Sequence, residues 1–183
     1  MLPSNKILKK IIPAVLYTAS ILGLAFSKLM LNNLLPNVFM YIDIVMLFFV
    51  IAIMRGARGG VVWFAFGVYL IEDILTSQQF GIELFAGVFT ILGIYWFFES
   101  VFTNLSIWIA GILTLFGMFV FRVLYGAGVL FSGMILENGY IFSTGLIKQF
   151  GIEMLCTALI SIPLYAVFIK IGNMFTREKI KYS

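Results

Sequence analysis

The chain has no histidine, one cysteine and few charges: Asp, Glu, Lys and Arg make up 11% of 183 residues. A soluble domain carries about 25%, so this chain cannot cover itself with polar surface. Without histidine it lacks the commonest general base and the commonest metal ligand. The single cysteine, Cys156, lies in an apolar run and excludes an intrachain disulfide. The strand alternation of an outer-membrane barrel is missing too, because the apolar runs are continuous.

What remains is apolar. Hydrophobic residues reach 62%, with 20 Phe and 8 Tyr, and the mean hydropathy is +1.10. This composition predicts an all-α, polytopic membrane protein: one transmembrane domain over 1–183, with about six helices of roughly 20 residues each. The formal charge is +4. Lys and Arg sit mostly at span ends, so this charge reads as membrane topology and not as a nucleic-acid surface.

The other segments can be oriented against the stretch from Arg55 to Gly81. It opens with a basic, glycine-rich turn, Arg55–Gly60. It continues as an apolar run and ends in Glu72-Asp73, a polar link and Gly81. One end therefore reads as cytoplasmic and the other as outward. Before it, a short basic start (Lys6, Lys9, Lys10) leads into an apolar run, Ile11–Phe26, read as an uncleaved first helix although Ala25-Phe26-Ser27 resembles a signal-peptide cleavage pattern. A link follows, Lys28–Asn37, with Pro36. The second span is predicted over Val38–Met54, with Asp43 near its start, and the third over Val61–Leu75. Thr76–Phe80 forms a turn. The fourth span covers Gly81–Phe98, with Glu83 in its first turn, where a carboxylate suits the helix dipole. After a link, Glu99–Ser106, the fifth covers Ile107–Leu124 and the last Ile152–Ile169, with Pro163 inside it.

Tyr125–Gly151, rich in glycine, is open to three readings: an extra span, a re-entrant segment or interfacial helices. Charge narrows the choice. With six spans and both termini cytoplasmic, the inner side receives Lys6, Lys9, Lys10, Arg55, Arg58, Lys170, Arg177, Lys179 and Lys181, and the outer side keeps Lys28, Arg122 and Lys148. A seventh crossing at Val129–Leu136 would put the basic tail outside, and the run is short for a span. The segment is therefore placed at the outer face or as an even-numbered re-entry.

The outer half collects Asp43, Glu72, Asp73, Glu83, Glu137 and Glu153, and Arg122 reaches the same level. Ionised groups in hydrocarbon cost several kcal/mol unless paired or wet. One reading is a polar cluster around Arg122 in an outward cavity, formed with Glu72, Asp73, Glu83 and Glu153. The plainer reading is a row of hydrated residues at the interface. Gly60, Gly67, Gly81, Gly87 and Gly93 are expected to permit close helix contact. Arg55–Gly60 lacks the lysine of a phosphate loop. No nucleophile–base pair or metal cage is visible, so the residues predict neither catalysis nor a cofactor.

The stretch from Gly60 through Gly67 and Asp73 to Gly81 resembles the MreD family, a membrane subunit of the bacterial cell-elongation machinery. Members show a glycine-containing third span ending in Asp, then a polar turn and a glycine. Leu35-Pro36-Asn37-Val38 is similar to the family's entry to its second span, and Ser161-Ile162-Pro163-Leu164-Tyr165 to its last span. Tyr69, where the family often has glycine, and Glu72, a second acid, depart from the pattern. The resemblance implies a non-enzymatic role in the bacterial cytoplasmic (inner) membrane. It implies binding to an MreC-like protein, helping to couple MreB filaments to RodA and a class B penicillin-binding protein in peptidoglycan synthesis and cell shape.

The alternative is a substrate-binding S component of an energy-coupling-factor vitamin importer. That class has similar length and span number, and MreD resembles its fold. Its first span carries Ala-x-x-x-Ala, whereas Ala14, Ala19 and Ala25 here are five and six apart.

Overall fold

The computed structural model describes residues 16–28, 30, 41–56, 59–76, 80–102, 106–135 and 144–181. In the last two stretches, side chains are described for 106–133 and 148–170. The described residues form six helices and no strand. These are α1 (16–28), α2 (Ile44–Met54), α3 (Gly60–Thr76), α4 (Ile82–Val101), α5 (Ile107–Ile135) and α6 (Thr144–Lys181). Three segments are long and apolar enough to cross a membrane: Ile82–Val101, Ile107–Gly133 and Lys148–Lys170. The chain is an all-α membrane protein on these grounds. The predicted spans at 11–26 and 38–54 fall partly outside the described residues.

Helix α2 is the hub. Eight of its eleven residues are buried, and it touches α3, α4, α5 and α6. The other helices follow one another around it in the order α1, α3, α4, α5, α6. Helices α1 and α3 run parallel: Tyr17 meets Phe64 edge-on at 5.2 Å, Ile21 lies against Gly67, and Lys28 reaches Glu72. The next three neighbours are antiparallel. Tyr69 lies on Gly87, Ile94 on Gly117, Ile82 on Gly128, and Ile162 on Gly111. In a membrane there is no hydrophobic force between helices, so close approach at small residues supplies much of the attraction.

The outside is as apolar as the inside. All three tryptophans face outward, Trp63 at 74%, Trp96 at 68% and Trp108 at 69% exposure. Lipid tails are the solvent for such side chains, which removes the pressure to bury them.

The segment 125–151 departs from the expectation. Helix α5 continues unbroken to Ile135 and has 29 residues, and α6 begins at Thr144 and has 38. Within the described part of this segment, 125–135 and 144–151 are extensions of the flanking helices. Glycine costs a helix only about 1 kcal/mol, and Gly128 is held because a Cβ there would lie 2.7 Å from Ile82. Gly128 thus marks a close helix contact and not a break. Residues 136–143, including Glu137, lie outside the described residues.

Candidate functional site: a charged end of the bundle

Lys28, Asp43, Glu72, Asp73 and Glu83, at or near helix ends, gather at one level of the bundle with Arg122 from the middle of α5 and Glu153 from the interior of α6. Two of the carboxylates are bound to helix starts. Asp43 caps α2: its carboxylate accepts from the Met46 amide at 2.9 Å. Its own amide donates to Thr157 Oγ1 at 3.1 Å, and Thr157 donates to the Tyr41 carbonyl at 3.3 Å. The start of α2 is thereby pinned to α6. Asp73, near the end of α3, accepts from the amides of Gly81 and Glu83. Gly81 stands at the cap of α4 with φ +100° and has no side chain to offer, so Asp73 caps that helix from across the turn. The left-handed backbone there favours glycine, and the α4 dipole favours the carboxylate.

The remaining charges form two ion-paired centres. Lys28 Nζ lies 2.8 Å from Glu72 Oε2 and 3.1 Å from Glu83 Oε1, which ties α1 to α3 and α4. Arg122 pairs with Glu153, which ties α5 to α6, and its guanidinium lies 4.3 Å from the centre of the Phe150 ring. A ring face and a carboxylate together suit the planar arginine fork.

Between them stands Tyr69, 1% exposed. Its ring stacks between Phe49 at 6.1 Å and Phe121 at 5.9 Å. Its hydroxyl has no hydrogen-bond partner among the described residues. The small residue facing its ring is on α4: a Cβ on Gly87 would overlap the Tyr69 ring.

The structure divides the cluster expected around Arg122. Glu153 is its ion-pair partner, Glu72 and Glu83 belong to Lys28, and Asp73 belongs to the start of α4. Sequence reasoning missed Lys28 as a centre because it was read as part of a link. The available signal was a lysine at the end of an apolar run, level with Glu72 and Glu83. The expected helix-packing glycines also divide. Gly67 and Gly87 meet side chains of neighbouring helices and Gly81 makes a turn, whereas a Cβ on Gly60 or Gly93 would meet nothing within 4 Å. Gly60 and Gly93 therefore fail as packing positions: Gly60 is exposed at the start of α3, and Gly93 lies one residue from the buried Ile94, on a different face. Gly111, Gly117 and Gly128 do pack.

Comparison of the chain with protein families, with curated proteins and with solved structures found no match.

Proposed function

We propose that the chain is a non-catalytic, MreD-like membrane subunit of the bacterial cell-elongation machinery. In this reading it crosses the cytoplasmic membrane six times, with both termini in the cytoplasm. It binds an MreC-like protein and helps couple MreB filaments to RodA and a class B penicillin-binding protein. The observation that carries the reading is how the charged end uses its side chains. Lys28, Glu72, Asp73, Glu83, Arg122 and Glu153 bond to one another or to a helix start, always across helices. This bracing makes a rigid body for partners to lean on. Lys28 and Arg122, both assigned to the outer side, lie at the end opposite Arg55, in keeping with the positive-inside arrangement.

The importer S component is kept as the second reading because of one observation. Tyr69 is buried, and its hydroxyl has no hydrogen-bond partner among the described residues. An S-component-like fold would accommodate either role. A mild-detergent pull-down from the native membrane, followed by mass spectrometry, separates them. Recovery of an MreC-like protein or cell-wall synthases supports the scaffold. Recovery of ABC-type ATPases or a retained vitamin, lost on Tyr69→Phe, replaces it with the importer.

A further inference from the structure

Among the described residues, the ring of helices around α2 is open on one side. Only Ile44, Phe48 and Ala52 of α2 escape burial, and they recur every four residues, so they form one stripe. Leu24 of α1 borders this stripe on one side, and Ile160, Leu164 and Phe168 of α6 border it on the other. Together they line an apolar groove of about 600 Å³. The groove runs the length of α2, roughly 16 Å at 1.5 Å per residue. At the end remote from the ion-paired centres it meets one charged side chain, Arg55, which is exposed and has no ion pair among the described residues.

We infer that this groove holds one acyl chain of an anionic glycerophospholipid, with the phosphate at Arg55. Size and charge favour that occupant. The groove's volume lies within the range of about 300–1,000 Å³ typical of small-molecule sites. An arginine fork matches a phosphate in geometry and charge. Basic pockets between transmembrane helices are recognised sites for anionic headgroups. The chain itself gains little by leaving the bilayer, since groove and lipid tails are equally apolar. Selectivity therefore rests on the headgroup, and retention on the shape of the slot.

The inference does not depend on the proposed partners. The test uses the full chain in nanodiscs of phosphatidylglycerol or phosphatidylcholine, released for native mass spectrometry. A phosphatidylglycerol carrying a diazirine in its tail serves as the crosslinking probe. One retained phosphatidylglycerol is expected, held about fivefold more tightly than phosphatidylcholine, which corresponds to the ~1 kcal/mol per basic residue of such sites. Crosslinks should fall on α2 and on 160–168 of α6. Arg55→Gln should erase the headgroup preference with the thermal midpoint in detergent unchanged. Ala52→Phe, which fills the slot, should abolish retention altogether. Equal retention of both lipids, crosslinks confined to α3 and α4, or an undiminished adduct in Ala52→Phe would each overturn the inference. So would a second copy of the chain crosslinking through the stripe.

Discussion

The two ends of the bundle contain charge in different ways. At one end seven charged side chains converge from all six helices, and each meets an opposite charge or a helix start. At the other, Arg55 borders an apolar groove with no ion pair among the described residues. The difference shows what brings helices together in a solvent of lipid tails. Among the described residues, apolar faces alone leave a gap between α1 and α6, whereas polar groups shared between helices, or a side chain fitted over glycine, close one.

Four substitutions test the contrast. The largest effect is expected for Lys28→Met, which strips the countercharge from Glu72, 2% exposed, and from Glu83. A cost of about 3–5 kcal/mol is expected, as for other buried pairs broken on one side. Reversible unfolding in mixed micelles measures it, and Lys28→Met with Glu72→Gln and Glu83→Gln should recover much of it. A loss below about 1 kcal/mol would mean that the centre is hydrated and braces nothing. Next is Gly87→Ala. The added methyl would enter the Tyr69 ring, which Phe49 and Phe121 hold on both sides, so about 1–3 kcal/mol is lost by overpacking. Thr157→Val removes the hydroxyl between Tyr41 and the Asp43 amide and should cost about 1–2 kcal/mol. Last, Gly93→Ala adds a methyl in open space within α4 and should stabilise by up to ~1 kcal/mol. If Gly93→Ala destabilises as much as Gly87→Ala, the assignment of close contacts is wrong.

Much of the fold was legible because hydrophobic runs and charged ends are local signals. The apolar stretches read as ending at Met54, Leu75 and Phe98 could be placed from composition and from the turn at Arg55–Gly60, and the helices end at Met54, Thr76 and Val101. Asp73 and Gly81 were marked together by the family resemblance, and in the structure Asp73 caps the next helix from across the turn that Gly81 makes. What could not be read is relational. Whether Gly87 or Gly93 faces a neighbour depends on the rotation of α4, and both lie in an equally apolar run. Lys28 could not be joined to Glu72 and Glu83, 44 and 55 residues away, because nothing local states that α1 and α3 run parallel. The length of α5 was missed because glycine reads as punctuation in a sequence, while in a bundle it often marks a neighbour's approach.

The short central helix also bears on the order in which the chain can be completed. Eleven residues of α2 cover only about half of a bilayer's hydrocarbon thickness. Non-helical backbone at such depth is tolerated only where protein satisfies it. At the start of α2 that role falls partly to Thr157, 114 residues further along the chain. Synthesis at about 5–20 residues per second leaves an interval of several seconds before that hydroxyl exists. During that interval the first half of the protein has its hub helix but not its seal. A ribosome-bound chain ending before α6 should therefore be a preferred substrate for membrane quality control, and one extended past Thr157 should escape it.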